Sequence, residues 1–429
     1  MNSEVITIFE DNQIKMQLTE KQKKDMLGLK DLWGTQNLSI QADGTVIMKH
    51  YVGFVVSGET RIQILPKIYS KDSYDKDKEA REACELLLRL LSYSGYLSIK
   101  EIPKPQTIEG CKNDLLEIFI TMFIDKFLKL FCTDPHRQYE TTEENLQFIK
   151  GKILFQKSLL KNIYTNHLHY VEYEEFTIDT VLNRIFKTIF LKLIYVTKIN
   201  SSKVKIKLAL TYLEDVNIIA LSPIIFNSIK FNRLNEKYKP LYNFAKLFYY
   251  NQQPGFKNGD ENVFTFLVPL NKLFEYYLFK LLKGAYINIE GKECKVNYQK
   301  PQRYLGEYQG EDIFLMKPDI TVTEGNNVKV ILDAKYKKIA ARSDSFVSQS
   351  DIYQMIGYAS HYKCKDIFLV YPAYKYKDKL EKPITIKVKV FNEEVNIRII
   401  EVDILNENIE ETRLELLNSI SNLSTRELP

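Results

Sequence analysis

The sequence predicts an α/β multidomain protein: a β-rich N-terminal module (residues 1–75), a mainly helical middle domain (76–251) and a C-terminal α/β domain (260–429) with a mixed central sheet. Three observations predict it. Short β-branched runs separated by Gly and Asp turns fill the first stretch, as in Thr45-Val46-Ile47-Met48 and Arg61-Ile62-Gln63-Ile64-Leu65. Apolar residues then recur at helical spacing, as with Leu182, Ile185, Phe186, Ile189, Phe190 and Leu193. From Leu267 onward the order is helix, strands, hairpin, helix, strand, an alternation that folds in layers. A length of 429 residues exceeds one hydrophobic core and suits two or three domains.

The elements follow in order. Strands are expected over 5–9, 38–40, 45–48, 53–56 and 61–65, with a helix over 19–29. Pro66 ends the last strand, because it cannot donate to a ladder. A polar, charge-mixed linker spans 69–78. Helices are expected over 79–97, 115–131, 201–212 and 239–250, with the Leu182–Leu193 stripe between them and a β-segment over 149–155. The Pro-, Gly- and amide-rich stretch 252–260 marks the clearest boundary between domains.

Composition narrows the function classes. Sixty basic residues against fifty-five acidic ones give a net charge of +5, so any nucleic-acid surface must come from local clustering. The five cysteines are odd in number and form no Cys-x-x-Cys pair, so neither a zinc ribbon nor a disulfide framework is indicated, which fits a reducing cytoplasm. No signal-peptide pattern opens the chain, and the apolar stretch 115–132 carries too many charges to span a bilayer. No Walker A motif is present, so nucleotide hydrolysis would belong to a partner.

The chemistry concentrates in Met316-Lys317-Pro318-Asp319-Ile320-Thr321-Val322 and Val330-Ile331-Leu332-Asp333-Ala334-Lys335. Two apolar runs flank Glu324-Gly325-Asn326-Asn327, a hairpin turn. Alternation places Ile331 and Asp333 on one face and Leu332 and Ala334 on the other. Pairing then gathers Asp319, Asp333 and Lys335 at one end of a sheet. Two carboxylates there suit Mg²⁺, or Mn²⁺, and a neighbouring lysine can orient or deprotonate water and balance phosphate charge. The reaction class is metal-assisted phosphodiester hydrolysis. Lys337, Lys338 and Arg342 interleave with Tyr336 next to this site and could track a DNA backbone.

The Pro-Asp…Asp-x-Lys pattern resembles the PD-(D/E)XK nuclease superfamily. Three further matches, in order along the chain, resemble the McrC family, the nuclease subunit of McrBC-type modification-dependent restriction systems. These are Gly53-Phe54-Val55 with Ile62-Gln63-Ile64-Leu65-Pro66-Lys67-Ile68, Gly151-Lys152-Ile153-Leu154-Phe155 with Asn183-Arg184, and Ser350-Asp351-Ile352-Tyr353-Gln354-Met355-Ile356-Gly357-Tyr358 leading to Phe368-Leu369-Val370-Tyr371-Pro372. The resemblance implies a C-terminal PD-(D/E)XK-type nuclease domain that cleaves modified double-stranded DNA with Mg²⁺. It also implies an N-terminal module that docks onto a hexameric AAA+ GTPase, and pairing of two nuclease domains to cut both strands. By the same resemblance Glu275, in Leu273-Phe274-Glu275, joins Asp319 and Asp333 around the metal, and Gln354 lies beside the catalytic sheet. The rival readings are a PD-(D/E)XK nuclease of another defence or repair system, and a non-cleaving adaptor that stimulates an AAA+ partner.

Overall fold

The structure, a computed structural model, describes residues 5–10, 13–15, 38–40, 45–57, 60–68, 75–94, 103, 105–165, 167–250, 252–253, 263–285, 287–289, 291–339, 347–375, 380 and 383–421. The expected helix over 19–29, most of the 69–78 linker, most of the 252–260 boundary and Arg342 lie outside the described residues. The chain forms two compact units, one of Met1–Asn113 with Phe266–Pro429 and one of Asp114–Thr265. No described helix is long and apolar enough to cross a membrane.

The Asp114–Thr265 unit is built around phenylalanine. Phe123 on helix Leu115–Thr133 contacts Phe186 and Phe190 on Val181–Val196 and Phe244 and Phe248 on Lys239–Tyr250. Asp114 starts the first of these helices by accepting from the N–H groups of Leu116 and Glu117. The unit also carries a long antiparallel pair, Gln138–Leu146 with His169–Thr177, which the sequence reading lacks. Its strands, QYETTEENL and HYVEYEEFT, are so polar that only Val171 and Tyr173 alternate with charged neighbours, too short a run to read. Within the expected 149–155 segment only Lys152–Ile153 is strand, paired with Glu172 and Val171.

In the other unit, strand Ile6–Phe9 runs parallel to Thr60–Leu65, which pairs antiparallel with Tyr51–Ser57. Next in the same sheet is Val263–Pro269. Gly53 permits that neighbour: its φ is +138°, and a Cβ there would lie 1.9 Å from the Phe266 carbonyl oxygen.

The second sheet of this unit has seven strands, in the order Ile287–Ile289, Lys292–Tyr298, Ile320–Glu324, Asn327–Ala334, Asp366–Pro372, Glu393–Val402, Ile384–Val390. It is mixed, as expected: Asn327–Ala334, Asp366–Pro372 and Glu393–Val402 run parallel, and the remaining pairs are antiparallel. Helix Gln349–Tyr362 lies in the crossover between the first two parallel strands. It packs Met355, Tyr358, Ala359 and Tyr362 onto Ile331, Ile367, Leu369, Ile397 and Ile399. Each buried Ile, Leu or Met among them contributes about 1.5–3 kcal/mol by leaving water. The residues after Pro372 complete this sheet, because Glu393–Val402 is an interior strand with Val395, Ile397 and Ile399 buried.

Candidate active site

The site is assembled at the open end of the hairpin formed by Ile320–Glu324 and Asn327–Ala334. Glu324 pairs with Asn327 around a two-residue turn whose Gly325 has a φ of 57°. Ile320 pairs with Leu332, so one further step brings Asp319 opposite Asp333. The Ala334 N–H donates to Asp319 Oδ2 at 2.9 Å, and the Gln299 N–H donates to the Asp319 carbonyl at 2.9 Å. Ile331 enters the core beneath helix Gln349–Tyr362, and Asp333 follows on the same face as alternation requires. Asp333 is 2% exposed. Lys335 Nζ lies 2.6 Å from Asp333 Oδ2 but out of line, so the contact is an ion pair and that oxygen has no directed hydrogen bond.

This crowding sets the electrostatics. Burial, and after it the charges of Asp333 and Glu275, push the Asp319 carboxyl up to about 8. Burial also raises Asp333, against the pull of Lys335. For Lys335 burial alone favours the neutral amine, but Asp333 foremost, then Asp351 and Asp319, outweigh it and hold the ammonium above its ordinary range.

Helix Gln349–Tyr362 frames the lysine. Ser350 and Asp351 both look like caps in the sequence, but Ser348 fills that position and its hydroxyl accepts from the Asp351 N–H at 3.4 Å. Asp351 is thereby free to pair with Lys337 at 2.5 Å and Lys335 at 3.8 Å, and the Tyr371 hydroxyl lies 3.5 Å from its Oδ2. One turn on, Gln354 Oε1 accepts from Lys335 Nζ at 2.9 Å, while its amide donates to the Tyr358 hydroxyl at 3.0 Å. Asp351, which pairs with both lysines, is absent from the candidate residues that the sequence singles out. Its position three residues before Gln354, one turn away on the same face, was the available signal.

The remaining candidates are placed as follows. Glu275, on helix Leu270–Leu282, is buried and accepts from Lys272 at 3.0 Å, Gln299 at 3.1 Å and the Tyr298 hydroxyl at 3.3 Å. Its charge reaches both Asp319 and Asp333. Lys337 is held by Asp351 and by Ser348, whereas Lys338 lies over the Tyr374 ring. The N-terminal Ile62–Ile68 motif lies behind the site: the Lys67 carbonyl accepts from the Tyr336 hydroxyl at 3.5 Å, and the Ile68 carbonyl from the Lys375 N–H at 2.9 Å.

Among the described residues no group of three or more His, Cys, Asp or Glu side chains could hold a metal ion as they stand. The donor chemistry of the pair nevertheless fits one. Asp319 and Asp333 offer hard oxygens, the sealed Asp333 Oδ2 holds the Lys335 ion pair but no directed hydrogen bond, and a carboxylate beside other carboxylates is stabilised by added positive charge.

A family model described as McrBC 5-methylcytosine restriction system component matches residues 46–372. The Type IV methyl-directed restriction enzyme EcoKMcrBC of Escherichia coli (strain K12) is 24% identical over 279 residues, 63% of this chain and 78% of that protein. The fold is similar to that in the refined half-complex from the tetradecameric assembly of Thermococcus gammatolerans McrB AAA+ hexamers with bound McrC, with a TM-score of 0.75, 20% identity, and coverage of 97% of this chain and 100% of that one. The Thermococcus gammatolerans McrBC complex gives a TM-score of 0.50 at 21% identity over 65% of this chain and 87% of that one. The chain belongs to the family of McrBC 5-methylcytosine restriction system components.

Proposed function

We propose that this chain is the McrC-type nuclease subunit of a McrBC-type restriction system, a Mg²⁺-dependent DNA endonuclease with a PD-(D/E)XK-type core that works in the cytoplasm. The observation that carries this reading is the convergence of Asp319, Asp333 and Lys335 at the mouth of one hairpin. A bound divalent ion would supply Lewis-acid polarisation of the phosphate and a more acidic water. Asp319 and Asp333 would hold it, with Glu275 as an auxiliary carboxylate. The Lys335 ammonium balances charge on the phosphate, and the same amine can position or deprotonate the water. Gln354 fixes that ammonium. Lys338 and Arg342 are the basic residues proposed to follow the DNA backbone. Lys337 shares that role only when it leaves Asp351.

A separate AAA+ GTPase hexamer is the proposed activator, in line with the McrB hexamers that bind McrC in the Thermococcus assembly. A docking role for residues 1–75 rests on the family resemblance. The Asp114–Thr265 unit offers a second contact, because Phe148, Phe155, Leu159, Leu160, Ile163 and Tyr164 are all exposed, Leu160 at 77% and Tyr164 at 96%. Replacing Leu159 and Leu160 by Asp is expected to weaken binding of the hexamer roughly tenfold or more. Unchanged affinity in a titration would remove this face from the interface.

The test of function is a cleavage assay on methylated and unmethylated plasmid with Mg²⁺ and GTP, with and without the cognate GTPase. Double-strand cleavage of methylated DNA is expected only with the partner present. Absence of cleavage in every combination would overturn the nuclease reading and leave an adaptor.

A further inference from the structure

The Lys335 ammonium faces three acceptors. Asp333 Oδ2 lies at 2.6 Å at the end of its own strand, and Gln354 Oε1 at 2.9 Å and Asp351 Oδ1 at 3.8 Å lie on the following helix. The two oxygens of Asp351 are differently occupied: Oδ2 has Lys337 at 2.5 Å and the Tyr371 hydroxyl at 3.5 Å, and Oδ1 faces Lys335. The residue is buried, at 7% exposure, in the first turn of a helix that Ser348 already caps. Helix initiation therefore does not require a carboxylate there, and a buried charge persists only with a partner.

Resting on the divalent-ion reading above, the geometry raises a competition. Lys335 occupies the Asp333 oxygen that an arriving dication would need, and two cations cannot share that oxygen closely. The lysine can give it up only if another negative charge waits within reach. We propose that Asp351 is a positioning residue. Its carboxylate draws the Lys335 ammonium off Asp333, clears that oxygen for a divalent cation, and keeps the ammonium beside the reacting phosphate. Gln354 steadies the ammonium but, being neutral, cannot replace the lost ion pair.

The experiment is Mn²⁺ binding to the full chain without DNA, read by calorimetry and by the spin-resonance signal of the free ion, with a thermal melt for each variant. Asp351→Asn is expected to weaken Mn²⁺ binding about tenfold, the scale on which groups behind a metal's ligands act. Asp351→Glu restores it. Lys337→Gln releases Asp351 Oδ2 toward Lys335 and tightens binding. Lys337 is half-exposed, so that variant keeps the measurement available even where Asp351→Asn is poorly folded. In a Lys335→Met background both effects vanish, whereas a mere change of local charge would persist there. Asp351→Asn binding as wild type, or the same loss with and without Lys335, overturns the proposal. Wild-type Mn²⁺ affinity in Asp333→Asn instead overturns the divalent-ion reading on which it rests.

Discussion

Asp333→Asn is expected to lower Mg²⁺-dependent cleavage by roughly 10³-fold or more, because it removes the charge proposed to hold the ion, on a side chain sealed from water. The same variant is expected to melt at the wild-type temperature or above it. Asp333 is sealed from water beside a second carboxyl, and burial raises its pKa. At neutral pH the folded state thus bears the cost of an unfavourable charge, which the amide relieves while Lys335 keeps Gln354 and Asp351. Loss of activity with preserved or raised melting temperature marks a residue kept for chemistry at the expense of stability. Cleavage at the wild-type rate would reject Asp333 as part of the site, and collapse of the fold would reassign it as a structural residue.

Gly53→Ala is the substitution with the largest expected effect on stability, although Gly53 lies far from the chemistry in sequence. The new methyl would sit 1.9 Å from the Phe266 carbonyl oxygen and 2.9 Å from its carbon, where the neighbour is backbone and cannot rotate away. The residue also has a φ of +138°, which an L side chain rarely adopts. Strain and overpacking together come to roughly 3 kcal/mol or more, enough to shift a urea midpoint clearly. Gly53→Val should yield little soluble protein. A midpoint within error of wild type for Gly53→Ala would show that Tyr51–Ser57 and Val263–Pro269 do not pack this closely. The Gly53-Phe54-Val55 signature is thus explained by a backbone approach, with no need for a ligand.

The candidate site was largely legible because its signals are local. The turn locates the hairpin and alternation sets the faces, while a register shift between Val322 and Thr323, which carries no turn signal, brings Asp319 opposite Asp333 rather than Leu332. The Gln354–Tyr358 pairing follows from helical spacing in the same way. What escaped detection depends on long-range partners. Asp351 resembles a helix-capping residue until Lys335 and Lys337 are seen to converge on it. Glu275, reached only through the resemblance, meets Gln299 and Tyr298 from its helix, contacts that no spacing reveals. The residues after Pro372 carry strand signals, but their place in the sheet was not legible, because parallel pairing of Asp366–Pro372 with Glu393–Val402 leaves no turn signature between adjacent strands.

One compact unit draws on Met1–Asn113 and Phe266–Pro429, with Asp114–Thr265 forming its own unit between them in the chain. During synthesis the early strands therefore emerge from the ribosome long before the segment that closes their sheet. Asp114–Thr265, continuous in sequence, can collapse while they wait. The Gly53 edge stays uncovered until Phe266 appears, so this unit cannot be completed until the last third of the chain has been translated, and premature chain ends leave an open strand that invites aggregation.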